Sequence, residues 1–377
     1  MLRTITLRNY KIFGVEQTIP LSPITVLVGP NNSGKSCLMS VGEFVKRGVA
    51  NARSEVAPYP TLSRSLRRPA VGDGAMGLAW EGEDFAYSTV LEPSGDGLRR
   101  RAEVLRYGES VVFSDDPVRP AESAGPITSI ALSHRLQRPF AGATIEPRLH
   151  DTALKSQVER AFQSMWGSRL VKLSIDRLRE DSKTTTSPTL GMDGAGIGAV
   201  LSLWRGFDPD RSDQLDAVLR ECLPEAKRAL VSPADEAERL RIWIEQKDGQ
   251  KFAPEELSDG VLFFLALAMH AIDAPPGALI FIEEPEQSIH PLRVRQIVDL
   301  FRRAVAARGC QFVLATHSAT LLDEFRDEPE AIILLRRGPE GTLVTSIARE
   351  PRLMEALEEH HATPGELLIN GFLNPPS

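Results

Sequence analysis

One short run near the N-terminus constrains the possible folds of this chain more than any other feature. Residues 29–36 read GPNNSGKS and fit the pattern G-x-x-x-x-G-K-[ST] at every required position. The apolar stretch 23–28 before it is typical of a buried strand, and the residues after it can form a helix. A glycine-rich turn between strand and helix needs no ligand, but the full pattern in this context predicts a phosphate-binding loop. We therefore expect the chain to bind a nucleoside triphosphate.

The residue types of this P-loop suit nucleotide binding. Glycines let backbone N–H groups close around phosphates, and the N-terminus of the following helix favours an anion. Lys35 is expected to reach the β- and γ-phosphates and so to serve catalysis, and the Ser36 hydroxyl to bind Mg²⁺. Cys37 directly follows Ser36. If it does not contact the nucleotide, it is only a small residue of the helix. The predicted nucleotide contacts are Gly29, Asn31, Asn32, Ser33, Gly34, Lys35, Ser36 and Cys37.

Composition limits the class of protein, its partners and its cellular compartment. The 377 residues are 42% hydrophobic and 25% charged, which is ordinary for a globular protein. The net charge of −7 gives no global basic footprint for nucleic acid, although a local basic face remains open. Three scattered cysteines form neither a disulfide framework nor a metal-ligand cluster. The N-terminus has no signal-peptide pattern and the longest apolar run, 261–268, is too short for a bilayer, so we expect a cytoplasmic protein with no membrane partner.

The pattern of apolar residues divides the chain into parts of different character. From residue 257 onward, helical and strand-like segments alternate, which predicts a mostly parallel sheet covered by helices. Residues 51–125 contain short strand-like segments separated by Gly, Pro and charged residues, which predicts an antiparallel β subdomain. Between these parts, three- and four-residue spacing predicts helices, with a loop at 181–188. The predicted strands are 77–80, 85–91, 103–107, 278–282, 311–315 and 331–335, and the predicted helices are 151–166 and 213–230.

The motif LSDG at 257–260 opens an apolar helix predicted from 261 to 271. A serine at the start of a helix is most often an N-cap, and on its own the motif favours that role. The alternative is a second phosphate site, in which the Ser258 hydroxyl, the Gly260 amide and the helix N-terminus face an anion.

An apolar strand that ends in two carboxylates, Glu283 and Glu284, is unusual, because carboxylates at a buried sheet edge are costly without a cation or a proton. Mg²⁺ at the P-loop would supply that cation. One glutamate would hold the metal, directly or through water, and the next would polarise the attacking water. Alternation along the strand places the two side chains on different sides, which suits different tasks. A solvated strand end is the alternative.

Two further motifs follow the acidic pair. SIHP at 288–291 is a turn at which a contact between subunits could form. ATHS at 315–318 ends a predicted strand and contains His317. A lone histidine is usually structural, but one at the C-terminal end of a parallel strand faces the ligand crevice, where it could hydrogen-bond a γ-phosphate.

In this order, the motifs resemble those of the ABC-type ATPase heads of the RecF, SMC and OLD superfamily. Within it, the chain is most similar to the stand-alone prokaryotic ATPases often labelled AAA-15 or AAA-21. The resemblance covers residues 1–45 and 255–375 and is thin between them. It rests on NYKIF at 9–13, GPNNSGKS, LSDG, FIEEPE at 281–286, SIHP, ATHS and GELLING at 365–371.

The resemblance implies a head-to-tail homodimer that forms on ATP and sandwiches two nucleotides, each between GPNNSGKS of one subunit and LSDG of the other. Glu283 then corresponds to the metal-binding position, Glu284 to the catalytic one and His317 to the switch histidine. Because a glutamate replaces the aspartate commoner in ABC proteins, the two tasks of the pair could be exchanged. For the family's Q-loop, Gln137 and the segment 171–179, whose arginines could face phosphate, are candidates, with solvated basic residues as the alternative.

The implied architecture is α/β, a single ABC-type head over 1–377 with a mostly parallel sheet core, an antiparallel β subdomain and a helical signature lobe. The absence of heptads between P-loop and LSDG argues against a coiled-coil arm. About sixty residues follow His317, too few for a metal-dependent TOPRIM nuclease. The expected parts are the P-loop part at 1–50, the β subdomain at 51–125, the signature lobe at 126–275, and the part with the acidic pair and switch histidine at 276–377.

The resemblance implies an ATP-hydrolysing switch or sensor that controls a separate effector protein, such as a nuclease or toxin, in prokaryotic anti-phage defence. Its cofactors would be ATP and Mg²⁺. The alternative is a RecF-like DNA repair or recombination ATPase that binds DNA across the dimer. That alternative needs a basic groove, for which the arginines at 64–68 and 99–101 are candidates, although a solvated charged face is their commoner role.

Overall fold

The computed structural model describes residues 1–45, 65–94, 97–108, 110–114, 164, 167–234, 238–359 and 361–373. The strands are β1 (Leu2–Arg8), β2 (Gln17–Pro20), β3 (Ile24–Val28), β4 (Met76–Gly82), β5 (Phe85–Ser94), β6 (Gly97–Tyr107), β7 (Ser110–Ser114), β8 (Arg169–Val171), β9 (Ser182–Lys183), β10 (Ala226–Pro233), β11 (Arg239–Gln246), β12 (Lys251–Phe252), β13 (Leu279–Glu283), β14 (Gln311–Ala315), β15 (Ile332–Gly338) and β16 (Gly341–Ser346). The helices are α1 (Lys35–Met39), α2 (Val41–Phe44), α3 (Ile175–Arg179), α4 (Ile197–Phe207), α5 (Pro209–Cys222), α6 (Asp259–Ile272), α7 (Pro291–Arg308), α8 (Ala319–Asp323), α9 (Pro351–Glu358) and α10 (Pro364–Ile369).

The central sheet has the strand order β16-β15-β3-β14-β13-β8. Its pairs are parallel except for β16, which forms an antiparallel hairpin with β15. β3 and β14 are buried along their whole length, as expected of central strands covered on both faces. The strands predicted at 278–282, 311–315 and 331–335 are thus confirmed, and the parallel sheet predicted from the alternating pattern is the core of the molecule.

The two faces of the central sheet pack against different layers. Ile280 and Leu314 lie in one apolar core with the helices α6 and α7. Phe281 and Val313, their neighbours along the strands, lie in a second core with α1, α2 and the strands of an antiparallel sheet. Successive side chains of a strand point to opposite faces, so each strand contributes to both cores.

The antiparallel sheet has the order β2-β1-β4-β5-β6-β7. The strands predicted at 77–80, 85–91 and 103–107 lie within β4, β5 and β6. The sheet also includes β1 and β2 from the N-terminal part, because β1 pairs with both β2 and β4. The predicted antiparallel β subdomain therefore forms one sheet with the N-terminal strands that lead into the P-loop.

The signature lobe differs from the sequence prediction. The helix predicted at 213–230 ends at Cys222, and the chain continues as β10, which pairs with β11. Pro224 lacks an amide hydrogen and cannot continue the helix. Besides helices, this lobe contains a four-stranded antiparallel sheet of β9 to β12, and the predicted loop at 181–188 contributes the two residues of β9 to it.

Several sequence-based expectations fall outside the described part of the chain. These are Gln137, Arg64 and the predicted helix at 151–166, of which only Ser164 is described. Within the described residues, no helix combines the length and the apolar character needed to cross a bilayer.

Candidate active site

Three of the predicted motifs meet at one edge of the central sheet. β3, β14 and β13 are neighbours, and their register pairs Leu27 with Ala315 and Ala315 with Glu283. Because the strands are parallel, the P-loop after β3, the acidic pair at the end of β13 and His317 after β14 all lie at the same ends of the strands. This edge is where α/β sheets bind their ligands.

The P-loop is wedged against β15 and β16, and two of its glycines are required there. A Cβ atom on Gly29 would lie 2.2 Å from the Leu335 carbonyl oxygen. Gly34 has a φ of 114°, and a Cβ there would lie 2.8 Å from Thr342 Oγ1. The Thr342 hydroxyl donates a hydrogen bond of 2.7 Å to the Ser33 carbonyl. The loop therefore keeps a closed curvature that larger residues would break.

Lys35 lies inside this loop and is only 9% exposed. Its Nζ donates hydrogen bonds to the carbonyl oxygens of Gly29 at 2.6 Å and Pro30 at 3.2 Å. Burial lowers the pKa of Lys35, and the carboxylates of Glu284 and Glu283 oppose that shift. The Ser33 hydroxyl is buried without a hydrogen-bond partner. The loop thus holds an ammonium group and an unsatisfied hydroxyl where phosphate oxygens would satisfy both.

The two glutamates at the end of β13 have different surroundings. Glu283 is 15% exposed, and its Oε2 lies 2.8 Å from Nζ of Lys172, the residue that follows β8. This contact raises the pKa of Lys172. Glu284 is exposed, and its φ of 47° turns the chain away from the strand. The pair is therefore split between a site that already holds a cation and a solvent-facing position beside the P-loop lysine.

His317 lies in the field of the same groups. It is exposed, and partial burial followed by the charge of Lys35 lowers its pKa, while Glu284 opposes the shift. Lys35, Glu284 and His317 therefore lie near enough to one another for the charges of Lys35 and Glu284 to act on the imidazole. The lowered pKa favours the neutral imidazole, which can donate or accept a hydrogen bond.

A third carboxylate, Glu286, was not singled out by the sequence. Its Oε1 accepts a short hydrogen bond from the Thr316 hydroxyl, which in turn accepts from the amide of Ser318. Burial raises the pKa of Glu286. This carboxylate connects the loop after β13 to the ATHS segment, which contains His317. Its position within the FIEEPE motif is the sequence feature that could have indicated a role for it.

The LSDG motif forms the start of α6 as predicted, but the serine does not cap the helix with its side chain. Ser258 is the N-cap residue, and its hydroxyl accepts no hydrogen bond from the helix. Arg179 holds the motif in place through Asp259 at 2.8 Å and the Leu257 carbonyl at 3.4 Å. A Cβ on Gly260 would lie 2.6 Å from the carbonyl oxygen of Ser288 in the SIHP turn.

A cavity of about 370 Å³ opens in front of this helix start. Its lining includes Ser258, Gly260, Ser288, His290 and Arg293, and none of its lining residues belongs to the P-loop, the acidic pair or the ATHS segment. Ser258 therefore lines an opening that is separate from the crevice at Lys35 of the same chain.

Four of the basic residues that the sequence offered as phosphate or DNA contacts have partners within the described part of the chain. Arg177 pairs with Glu180 and Asp193, and Arg179 with Asp259. The Q-loop role of this segment stays a prediction, and Lys172 of the same segment pairs with Glu283. In the other two clusters, Arg67 donates to the Ile12 and Pro69 carbonyls and Arg101 pairs with Asp73.

The residues at the sheet edge fit a nucleotide with Mg²⁺. The unsatisfied Ser33 hydroxyl and the close packing around Gly29 suit phosphate oxygens, and Ser36 at the start of α1 and Glu283 at the end of β13 offer oxygen ligands. Among the described residues, no group of three or more His, Cys, Asp or Glu side chains is placed to hold a metal by itself. Mg²⁺ in such sites is held by one or two protein oxygens together with phosphates.

Fold and site together define a P-loop ATPase with an ABC-type head. The chain belongs to the AAA_21 family, described as "AAA domain, putative AbiEii toxin, Type IV TA system", which matches residues 24–323. The resemblance inferred from the motifs is thus confirmed.

Individual proteins extend this comparison. The chain is 23% identical over 375 residues to the OLD nuclease of Thermus scotoductus (strain ATCC 700910 / SA-01), a match that covers 93% of this chain but 65% of that protein's length. It is similar to the crystal structure of an SmcHead bound to the C-winged helix domain of ScpA, with a TM-score of 0.57 and 14% identity over 93% of this chain and 99% of the other. A Pyrococcus furiosus Smc head domain with an extended coiled coil, bound to the C-terminal domain of ScpA, gives a TM-score of 0.50 and 14% identity over 96% and 99%. At such identities the structural similarity concerns the fold.

Proposed function

We propose that this ATPase is a conformational switch that dimerises on ATP, with each nucleotide bound between the P-loop of one copy and Ser258 to Gly260 of the other. One observation carries the proposal. The start of α6 presents a hydroxyl without an internal cap bond and free helix amides to an opening that shares no residue with the P-loop of its own chain. A second copy placed head to tail would bring an anion to those groups.

The residues at the sheet edge would have different roles in ATP hydrolysis. Lys35 would exchange the carbonyl oxygens of Gly29 and Pro30 for phosphate oxygens. Ser36 and Glu283 would hold Mg²⁺, which neutralises charge on the phosphates when bound. Glu284 would orient and deprotonate the attacking water, and His317 would hydrogen-bond the γ-phosphate. The contact between Glu283 and the ammonium of Lys172 supports giving the cation-binding task to Glu283 rather than to Glu284.

The output of the switch is proposed to be control of a separate effector protein, such as a nuclease or toxin, in prokaryotic anti-phage defence. The similarity to an OLD nuclease supports a link between such a head and nuclease action, and the family description names a toxin of a toxin–antitoxin system. The alternative, a RecF-like ATPase with DNA across the dimer, has less support, because Arg67 and Arg101 of the two candidate basic clusters already have partners within the chain.

A mixing experiment tests the shared site. Lys35→Ala removes the phosphate-binding lysine, and Ser258→Arg blocks the opening at α6, so each variant alone should not hydrolyse ATP. When the two are mixed, random pairing makes about half of the dimers mixed, each with one intact site, and about a quarter of the wild-type rate should return. Recovery requires that the P-loop and Ser258 of one site come from different chains.

Controls separate this result from misfolding. Glu358→Gln, an exposed change on α9, should leave the rate and its recovery unchanged. Circular dichroism should give wild-type spectra for all variants. If both variants are folded and their mixture stays inactive over a range of ratios, the shared-site proposal fails. A Ser258→Arg protein that hydrolyses ATP at the wild-type rate would contradict it as well.

A further inference from the structure

A second cavity, of about 470 Å³, lies away from the P-loop. It is enclosed by Arg169 and Val171 of β8, the loop at 188–192, helices α4 and α5, and the C-terminal end of α6. Its volume is within the range of about 300–1,000 Å³ that is usual for sites of small molecules. None of its lining residues belongs to the P-loop, the acidic pair, LSDG or ATHS, so the proposed ATP site does not account for it.

One end of this cavity carries two guanidinium groups. Arg169 Nη1 donates to Asp273 Oδ2 at 2.8 Å, and Arg211 Nη1 donates to Asp273 Oδ1 at 2.9 Å. Arg211 Nε also lies 3.2 Å from an oxygen of Asp208, which does not line the cavity. In the described part of the chain, Nε and Nη2 of Arg169 and Nη2 of Arg211 have no hydrogen-bond partner. Glu43, the other acid in the lining, makes an interaction of its own. Two arginines beside one carboxylate leave N–H donors for a further acid group.

His270 lines the same cavity and is only 2% exposed. Neither of its ring nitrogens has a hydrogen-bond partner, and the backbone of Gly191 approaches the ring without meeting hydrogen-bond geometry. Burial and then the charge of Arg169 lower its pKa to about 4, with Asp273 opposing, so the ring is neutral at pH 7. A neutral imidazole has one donor and one acceptor, and buried polar groups without partners are rare in proteins unless a ligand or water satisfies them.

Apart from Glu43 and Thr189, the remaining wall is apolar and partly aromatic. Val200, Leu203 and Trp204 of α4 form one side, and Leu190 and Met192 form another. The guanidinium of Arg211 lies 5.9 Å from the ring centre of Trp204, which fixes the arginine over a flat surface. The cavity thus combines an acid-binding end, an apolar wall and a neutral hydrogen-bonding ring.

We propose that this cavity binds a small organic anion with one acid group and one flat ring. The acid group contacts the free N–H donors of Arg169 and Arg211, the ring lies against Leu203 and Trp204, and His270 hydrogen-bonds a ring heteroatom. A phosphate monoester and a carboxylate share this acid chemistry, so a nucleoside 5′-monophosphate and an indole carboxylate are two forms of the same class.

The position of the cavity connects it to the proposed switch. Only this part of the inference rests on the proposed function. Ser258 is the N-cap of α6, and His270 and Asp273 lie at the other end of the same helix. Val171 lines the cavity, and the next residue, Lys172, pairs with Glu283. A bound ligand would therefore contact α6, which begins at the proposed second half of the nucleotide site, and β8, which leads to Lys172 beside Glu283. This is where a small-molecule trigger would act.

Binding is tested by isothermal titration calorimetry on Lys35→Ala protein, in which the P-loop site is disabled. The probes are AMP, GMP, CMP, UMP, indole-3-carboxylate and inorganic phosphate, the last being the acid group without a ring. At least one ring-bearing probe should bind with one site per chain and more tightly than phosphate. The two probe types distinguish a phosphate from a carboxylate ligand.

Two further substitutions in the Lys35→Ala background locate the site. Leu203→Trp places a larger side chain at the apolar wall of the cavity and leaves both arginines in the sequence, and Arg211→Met removes one guanidinium, so each should weaken binding at least about tenfold. The matched controls are Phe207→Trp, one turn along α4 at a residue that is 84% exposed and outside the lining, and Arg220→Met on α5. Both controls should bind like the parent. Thermal melts identify any variant that fails to fold, and Leu203→Trp keeps the test valid if Arg211→Met does so.

Two results overturn the inference. One is the absence of binding by every ring-bearing probe at millimolar concentration. The other is binding that Leu203→Trp leaves unchanged in folded protein, which would place the ligand elsewhere. Because the titration needs neither dimerisation nor hydrolysis, its failure leaves the shared ATP site standing, and failure of the mixing experiment leaves this binding site standing.

Discussion

Replacing Lys172 by methionine should strengthen the effect of Mg²⁺ on nucleotide binding. Lys172 Nζ lies 2.8 Å from Glu283 Oε2, the carboxylate to which we give the metal. In the proposed site, the ammonium and Mg²⁺ would therefore compete for the Glu283 carboxylate. Methionine keeps a long unbranched side chain and removes the charge.

The size of the effect follows from the exposure of the lysine. The Lys172 side chain is 72% exposed, so its ion pair is screened by water and contributes about 0.2–1 kcal/mol. Since about 1.36 kcal/mol corresponds to a factor of ten, the concentration of Mg²⁺ needed for half-maximal binding should fall by about 1.4-fold to fivefold. Added salt should reduce the difference, because it screens the lysine in the wild type.

The assay is a Mg²⁺ titration of a fluorescent ATP analogue at fixed protein concentration, followed by the anisotropy of the analogue. Lys247→Met, at an exposed turn between β11 and β12, controls for the loss of a positive charge and should leave the titration unchanged. Tenfold weaker binding in Lys172→Met would refute the reasoning. Such a loss would mean that Lys172 contacts phosphate in the bound state and does not compete with the metal.

Three further predictions concern other parts of the molecule. Glu284→Gln should bind ATP and accumulate as a nucleotide-loaded dimer in native mass spectrometry, because the water-activating group is lost while the phosphate contacts remain; normal hydrolysis would contradict the role of Glu284. Gly260→Ala should destabilise the fold by about 1–3 kcal/mol in urea unfolding, because its Cβ would lie 2.6 Å from the Ser288 carbonyl, whereas Gly206→Ala, with no atom within 4 Å, should be neutral or stabilising by up to about 1 kcal/mol; equal effects would refute the close contact. Because the pKa of His270 is lowered to about 4 in the folded protein, the unfolded state takes up the proton first as the pH falls. The free energy of unfolding should therefore decrease between about pH 6.5 and pH 4, by at most about 3 kcal/mol. His270→Phe should lack this part of the decrease when the unfolding of the two proteins is compared at each pH.

The elements that the sequence predicted well depend on local interactions. The apolar runs before Gly29 and Glu283 are β3 and β13, since strands covered on both faces must be apolar at successive positions. The P-loop and the start of α6 follow from short motifs whose geometry is set by neighbouring residues. The helix predicted at 213–230 was wrong beyond Cys222, because β10 is stabilised by pairing with β11, and its helical spacing carried no sign of that partner.

By itself, the sequence determined that a P-loop, an acidic pair and a histidine would meet at the ends of parallel strands, because the strand–loop–helix order and the apolar periodicity require it. Only the tertiary structure decided which groups surround them. Lys172 reaches Glu283 because β8 lies beside β13, although about a hundred residues separate the two in the chain. The cavity lined by Arg169, Arg211 and His270 likewise joins a strand and two helices that are distant in sequence. Contacts of this kind arise from the packing of whole elements, and residue patterns within a short window carry no information about them.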